Sequence, residues 1–243
     1  MRSISSSEIL GIWERGLAQS QINRGLALLA LACPEASSEE LAKLPIGKRD
    51  GIILTLHEQI FGPKLVCLTA CPSCSERLEM TLNVEDIQTK PSDHDAELKI
   101  GIDDIEVKFR LPNSLDLIAI EDNQDMSRVR QILIERCIIE VCQNGGKMPV
   151  DQLPVKIIEA IEEKMAEADP QANVPLDLTC PACGNKWQTA FDIVSFFWNE
   201  INAWAQRVLQ EVHVLASAYG WSEEEILGMS SWRRQVYLDL VSQ

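Results

Sequence analysis

Two Cys-Pro-x-Cys motifs are the residues of this sequence best suited to chemistry: CPSC at 71–74 and CPAC at 180–183. Each motif lies between two segments that alternate like strands, and a small residue, Ser75 or Gly184, follows its second cysteine. A tight turn of this kind points both thiolates at one metal ion, and two such turns supply the four thiolates of a tetrahedral Zn²⁺ site. We therefore predict that one Zn²⁺ binds to four cysteines, in a closed site with no position for a catalytic water: Cys71, Cys74, Cys180 and Cys183.

The same motifs have other interpretations, which the spacing leaves open. A Cys-Pro-x-Cys motif is typical of a thiol-disulfide oxidoreductase when it opens a helix that lowers the pKa of the first thiol. Here strand-like segments follow both motifs, which favours shared metal binding. Four unbound cysteines are a further alternative, and iron can occupy a four-cysteine site in place of zinc.

The other four cysteines form no second motif: Cys33, Cys67, Cys137 and Cys142. Cys67, on the strand that enters the first motif, is a weaker candidate ligand. Cys137 and Cys142 fall on a predicted helical face, where cysteine packs as a small hydrophobic residue.

The three histidines are scattered, and His94, in a predicted loop, is a remote metal candidate. No histidine has a carboxylate or serine at the spacing of a catalytic triad or of a metalloprotease motif, and no glycine loop fits a phosphate. We therefore predict a protein that is not an enzyme.

Composition limits the partners and the compartment. The 243 residues carry a formal net charge of −15, and 46% are hydrophobic. So acidic a chain repels nucleic acid and anionic membrane surfaces, which argues against a third function, a zinc-ribbon adaptor for nucleic acid. No apolar run is long enough to span a membrane. The N-terminus lacks the apolar core of a signal peptide, so we expect a cytoplasmic, reducing setting with free or metal-bound cysteines.

The elements that carry the two motifs predict an α+β fold: helical N- and C-terminal units joined by a split four-cysteine zinc-ribbon-like β region with a mixed, largely helical insertion. Residues 1–62 form the N-terminal helical unit, with helical periodicity over 6–31, a capped helix from Ser37 to Leu44 and a helix over 48–61. Residues 63–111 and 172–192 form the split β region.

The insertion, residues 112–171, has helical periodicity over 114–141 and again over 151–168. Residues 193–243 form the C-terminal helical unit. In it, Asp192 is a plausible N-cap of a long helix that ends at Gly220, and Ser222 caps a short helix. Four of the six tryptophans fall here, as core residues or as partner anchors: Trp198, Trp204, Trp221 and Trp232.

Two stretches resemble a known family. LPIGKRDGIILTLHEQIFGPKL, residues 44–65, with the first motif resembles the N-terminal half of proteins encoded in contractile-injection-system and contractile-tail gene clusters. The second motif resembles their C-terminal half more strongly, together with Glu-Val-His-x-Leu-Ala, Tyr-Gly-Trp-Ser-Glu and Arg-Arg-x-x-Tyr-Leu, and is similar to the T-even phage baseplate family. Residues 89–175 carry no such resemblance.

The resemblance implies a baseplate component, or a factor that assembles the baseplate hub, whose partners are other baseplate, hub or tail proteins of a contractile particle. A rigid metal-tied centre without an active site suits that setting. Because the site would link residues far apart in sequence, metal binding should be coupled to folding of much of the protein.

Overall fold

The computed structural model describes residues 4–89 and 97–242 and shows a mixed α+β protein. His94 lies outside the described residues. Eleven helices occur in the described part: α1 Ser6–Gly16, α2 Gln21–Ala32, α3 Ser38–Ala42, α4 Ile46–Phe61, α5 Val84–Ile87, α6 Ser114–Ile118, α7 Met126–Cys137, α8 Val155–Ala168, α9 Ile193–Tyr219, α10 Glu223–Leu227 and α11 Ser231–Val241. Eight strands accompany them: β1 Lys64–Ala70, β2 Arg77–Asn83, β3 Leu98–Ile102, β4 Ile105–Phe109, β5 Ile138–Gln143, β6 Gly146–Lys147, β7 Val174–Thr179 and β8 Lys186–Phe191. Two short 3₁₀ turns, Val150–Gln152 and Pro170–Ala172, flank α8.

The chain divides into two compact units. Residues 1–28 and 194–243 form the first, and residues 29–193 form the second, which contains all eight strands. Each unit has a hydrophobic core of its own, because apolar residues recur on one side of its elements.

Three small antiparallel sheets make up the β structure of the second unit. β1 pairs with β2 and β7 pairs with β8, each as a two-stranded hairpin. The third sheet has the order β3-β4-β5-β6, and its inner face packs against α7 and α8. Phe109 and Ile161 lie fully buried in this core.

The first unit is held by α1 and the long helix α9. Leu10 packs against Ala205 and Val208 of α9, and the indole Nε1 of Trp13 donates a 2.9 Å hydrogen bond to Oδ1 of Asn202.

An aromatic cluster joins helices α9 and α11 of this unit. Tyr219 stacks on Trp221 with ring centroids 4.5 Å apart, and Tyr237 of α11 meets Trp221 edge-on at 4.8 Å. Gly220 has a φ of 69°, which confirms the predicted C-terminal turn of α9.

Local capping signals are confirmed at several helix starts. Ser37 and Glu40 form a reciprocal capping box at α3, and Ser222 and Glu225 form one at α10.

Trp232, in contrast to the other C-terminal tryptophans, is 76% exposed on α11.

The structure corrects two predicted helices. Residues 6–31 form two helices and not one continuous helix, because residues 17–20, between α1 and α2, are not helical. The helical pattern over 114–141 is interrupted at 119–125, and Ile138–Gln143 is strand β5. β5 places Val141 opposite Val107 of β4, so Cys142 lies on a strand and not on a helical face.

Candidate metal centre

The two cysteine motifs form matched turns at the tips of matched hairpins. β1 ends at Ala70 and β2 begins at Arg77, while β7 ends at Thr179 and β8 begins at Lys186. Six residues therefore connect the strands in both hairpins, and each connection begins with the first cysteine of its motif. The alternating, β-favouring segments on either side are what the sequence predicted here.

Each turn is closed by the same pair of backbone hydrogen bonds. In the first, the N–H of Cys71 donates to Glu76 O and the N–H of Ser75 donates to Cys71 O, both at 2.9 Å. In the second, Cys180 and Gly184 make the equivalent bonds, also at 2.9 Å. Ser75 and Gly184 have φ of 61° and 73°, so the small residue after the second cysteine adopts the left-handed conformation that the turn requires.

The structure brings all four predicted cysteines together. Their Sγ atoms lie within 4.8 Å of one another, and the cluster takes two cysteines from each hairpin. The Sγ of Cys71 is 3.7 Å from that of Cys183, and the Sγ of Cys74 is 3.6 Å from that of Cys180. All four are free thiols, with no disulfide between them.

These separations fit a metal ion. Four sulfurs at ~2.3 Å from a tetrahedral centre lie ~3.8 Å from one another, which is close to the Cys71–Cys183 and Cys74–Cys180 distances. Thiolates are the ligands of structural zinc and of mononuclear iron sites. The donor set and its spacing therefore suit a tetrahedral thiophilic ion.

The centre has a buried side and an exposed side. Cys71 and Cys180, the first cysteine of each motif, are 2% and 1% exposed, whereas Cys74 and Cys183 are exposed. The buried pair directly follows strands β1 and β7, and the exposed pair faces solvent.

The close thiols alter one another's acidity. Burial raises the pKa of Cys71, but the backbone N–H groups of Cys74 and Ser73 and the neighbouring thiols outweigh burial and lower this pKa to about 7. The N–H of Glu76 lowers the pKa of Cys74, but the thiols around it, with burial, raise it to about 12. One thiol of the cluster thus ionises readily and opposes ionisation of the next, and a divalent cation removes that opposition.

The remaining candidate ligands stay apart from this cluster. Cys67 lies half-buried within β1, Cys33 follows α2, Cys137 is buried at the end of α7, and Cys142 is half-buried in β5. Among the described residues, no other group of three or more cysteine, histidine, aspartate or glutamate side chains has metal-binding spacing.

A second charged centre was missed by sequence reasoning. Asp116, on α6, is fully buried and receives two hydrogen bonds from Arg110, at 2.5 and 3.0 Å, and one from Arg136, at 2.9 Å. Its signal in the sequence is the capping box formed with Asn113. This network ties α6 to α7 and to Arg110, which directly follows β4.

Comparison with known families places these features in context. The family model described as T4 bacteriophage base plate protein matches residues 18–198, well over half of the chain, and the match contains both cysteine motifs. The chain belongs to this family. The resemblance found in the sequence is thereby confirmed.

The family model covers a different set of residues from the stretches that carry the resemblance. It includes residues 89–175, where no familiar motif was found, and it ends before the Glu-Val-His and Arg-Arg motifs of the C-terminal unit. The chain matches no curated protein and no solved structure. In the described part of the chain, no helix is both long enough and apolar enough to cross a bilayer.

Proposed function

We propose that this protein is a non-enzymatic component, or an assembly factor, of the baseplate in a contractile, phage-tail-like injection particle, with a structural Zn²⁺ at Cys71, Cys74, Cys180 and Cys183. The observation that carries the proposal is the family match over residues 18–198. Membership of a phage baseplate family supports a structural role in a particle, among other baseplate proteins. The contractile injection system, the hub and the assembly role are finer inferences that rest on the resemblance of the two motif-bearing stretches.

The proposed zinc has a mechanical role. Each hairpin has only two strands, and an isolated two-stranded hairpin is marginally stable in water. A shared ion converts the two hairpins into one cross-linked element without needing a large core. With four protein ligands such a site has no open coordination position, which is typical of a structural and not of a catalytic metal site.

Metal content and thiol accessibility test the proposed centre. We expect elemental mass spectrometry of the purified protein to find about one zinc per chain. Thiol counting should find four thiols that become reactive only after a chelator is added. Iron at the same stoichiometry would keep the centre and change its ion.

The same experiment addresses a thiol-disulfide oxidoreductase, the alternative that the low pKa of Cys71 favours. An oxidoreductase would show no metal and one fast-reacting thiol. That outcome would remove the zinc centre from the proposal.

The particle role needs a separate measurement. We expect the protein to co-purify with baseplate subunits encoded in the same gene cluster, and deletion of its gene to block formation of complete particles. Presence of the protein in purified mature particles would identify a component, and absence from particles that require it would identify an assembly factor. Normal particles in the deletion strain would refute both roles.

A further inference from the structure

The segment that leads into the second hairpin is bound to the elements that flank the first. Residues 169–171 lie between α8 and β7 and overlap the 3₁₀ turn Pro170–Ala172. Gly62 and Pro63 connect α4 to β1, and α5 directly follows β2, so these two helices flank the first hairpin. The bonds made by Asp169 and Gln171 therefore link the segment before the second cysteine hairpin to the two helices that flank the first.

Asp169 provides the N-terminal cap of α4. Pro45 stands at the N-cap position and makes no side-chain cap, and the first turn of α4 holds no acidic residue. Oδ2 of Asp169 instead accepts the N–H of Gly47 at 2.9 Å, although 122 residues separate the two. A carboxylate at a helix N-terminus pairs with otherwise unbonded N–H groups and with the helix dipole.

Gln171 makes three hydrogen bonds just beyond α5. Its Oε1 accepts the N–H of Thr89 at 2.6 Å and the hydroxyl of Thr89 at 3.1 Å, and its Nε2 donates to Ile87 O at 3.3 Å. Gln171 and Asp169 are only 9% and 6% exposed. Buried polar groups with so many partners hold their segments in one geometry.

Two glycines of α4, Gly47 and Gly51, lie beneath this segment. A Cβ on Gly47 would lie 1.9 Å from Oδ1 of Asp169, so only glycine admits the carboxylate there. Gly51, one turn later on the same face, lies beneath Gln171. α4 thus has no side chain at these two positions, which allows residues 169–171 to pack closely against the helix.

We propose that Asp169 and Gln171 are positioning residues for the metal centre: they hold the second cysteine hairpin beside the first before the ion binds, and so set the metal affinity. This inference rests on the proposed metal site. Neither side chain touches a cysteine, so both act through the placement of the hairpins. If the cysteines of a metal-free chain are together for only part of the time, the apparent affinity falls by that fraction.

Titration of the reduced, metal-free full chain with Co²⁺ tests the proposal, because tetrahedral thiolate coordination gives cobalt intense absorption bands. We expect Gln171→Leu and Asp169→Ala each to weaken Co²⁺ binding by about 10- to 100-fold, if the cysteines are then assembled for ~1–10% of the time. The absorption spectrum at saturation should not change, because all four ligands remain. Asp169→Asn keeps an acceptor for the N–H of Gly47 and should retain most of the affinity.

A matched control separates positioning from general loss of stability. Val141→Ala removes buried side-chain volume from the four-stranded sheet of the same unit and leaves residues 169–171 intact. It should lower the melting temperature while leaving Co²⁺ affinity within about twofold of the wild type, as expected for a site that stays assembled. Should Gln171→Leu fail to fold, Thr89→Val, which removes only the hydroxyl donor, takes its place.

The outcomes are distinguishable. A wild-type chain that binds neither Co²⁺ nor Zn²⁺ overturns the metal centre and this inference together. Tight binding by the wild type with equal affinity in the Gln171 and Asp169 variants overturns this inference alone. An equal loss of affinity in Val141→Ala also overturns it, because any destabilisation would then have the same effect.

Discussion

The Sγ of Cys74 lies 3.6 Å from the Sγ of Cys180, although 106 residues separate them in the chain. Closing so long a loop costs conformational entropy, which a single ion must offset unless other contacts share that cost. Within the second unit, Asp169 and Gln171 supply such contacts. The proposed centre would therefore be held together both by the bound ion and by the hydrogen bonds of Asp169 and Gln171, and separate substitutions can test each.

Loss of one thiol at the tip should remove the ion. Cys74→Ala leaves three ligands, so we expect bound zinc to fall from about one per chain to a small fraction of that value. Cys67→Ala is the matched control, because Cys67 lies on β1 of the same hairpin and outside the four-thiol cluster. Elemental mass spectrometry compares the two, and full zinc occupancy in Cys74→Ala would contradict the proposed ligand set.

Two glycines of α4 should respond oppositely to alanine. Gly47→Ala places a Cβ 1.9 Å from Asp169 Oδ1 and 2.8 Å from the backbone N of Ala172, so we expect a loss of about 1–3 kcal/mol in the free energy of unfolding. At Gly51 the nearest atom, Gln171 Cγ, is 4.0 Å away, which is ordinary contact. Gly51→Ala should therefore raise the free energy of unfolding by up to about 1 kcal/mol through helix propensity. Urea unfolding monitored by circular dichroism measures both, and equal effects would mean that Asp169 does not pack as closely as described.

The elements that sequence patterns predicted correctly are those whose signals are local. The hairpins β1–β2 and β7–β8 follow from alternation on both sides of the cysteines, and the capping boxes at Ser37 and Ser222 follow from a serine three residues before a glutamate. Strand β5 was predicted as helix because Ile134, Cys137, Ile138 and Val141 also have helical spacing. Its pairing with β4, about 30 residues earlier, decides the structure, and a local pattern contains no information about that pairing.

The candidate metal centre likewise has residues that local patterns predict and residues that they do not. Motif spacing predicted the four cysteines as one cluster, which the structure brings together, because each pair must lie in one tight turn. Asp169 and Gln171 are ordinary polar residues of a predicted loop, and no local pattern distinguishes them. The one available signal was the glycine pair at 47 and 51, four residues apart on a helix, which indicates close approach of another segment.

Acid should weaken the second unit through Asp116. Burial raises the pKa of this carboxyl, but hydrogen bonds from Arg110, the Asn113 backbone and Arg136, together with the charge of Arg110, outweigh burial and lower the pKa below its usual value. A folded-state pKa below the unfolded value of about 3.9 means that the stabilisation is present above pH ~4 and is lost as the pH falls through the folded-state pKa.

Asp116→Asn removes this contribution. We expect it to lower the free energy of unfolding at pH 7 by about 1–3 kcal/mol, because a buried acceptor of charged hydrogen bonds is lost while the two arginines stay partly solvated, and to flatten the pH dependence below pH ~4. Asp122→Asn, at an exposed position in the loop after α6, is the control and should change neither. Thermal melts from pH 2 to pH 7 make the comparison, and parallel curves for wild type and Asp116→Asn would refute this role.

The turn after α9 should not tolerate a branched residue. Gly220 has a φ of 69°, a conformation that costs a β-branched residue roughly 1–3 kcal/mol, so Gly220→Val should lower the melting temperature of the first unit by several degrees. Gly11→Ala, in helix α1 of the same unit, has only the mobile end of Arg15 nearby at 3.3 Å and serves as the control. Differential scanning calorimetry reads both, and an unchanged melting temperature for Gly220→Val would show that the turn relaxes without cost.

Neighbouring arginines on α11 should differ sharply in their effect on stability. Arg234 is 3% exposed; its Nε donates to Oε2 of Glu211 on α9 at 2.9 Å and its Nη1 donates to Met229 O at 2.8 Å. Arg234→Met leaves the largely buried carboxylate of Glu211 with the exposed Arg207, at 4.0 Å, as its remaining ion pair, so it should cost about 3 kcal/mol. Arg233, one residue earlier, is exposed beside the ring of Tyr237, and Arg233→Met should cost less than about 1 kcal/mol.

A double-mutant cycle completes this test. Glu211→Leu together with Arg234→Met removes both charges. The double variant should therefore lose less free energy of unfolding than the sum of the losses in the two single variants. Chemical denaturation of the four proteins gives the coupling energy, which we expect to be about 1–3 kcal/mol for residues in direct contact. A coupling energy near zero would show that the tie between α9 and α11 depends on the aromatic cluster of Tyr219, Trp221 and Tyr237 and not on this ion pair.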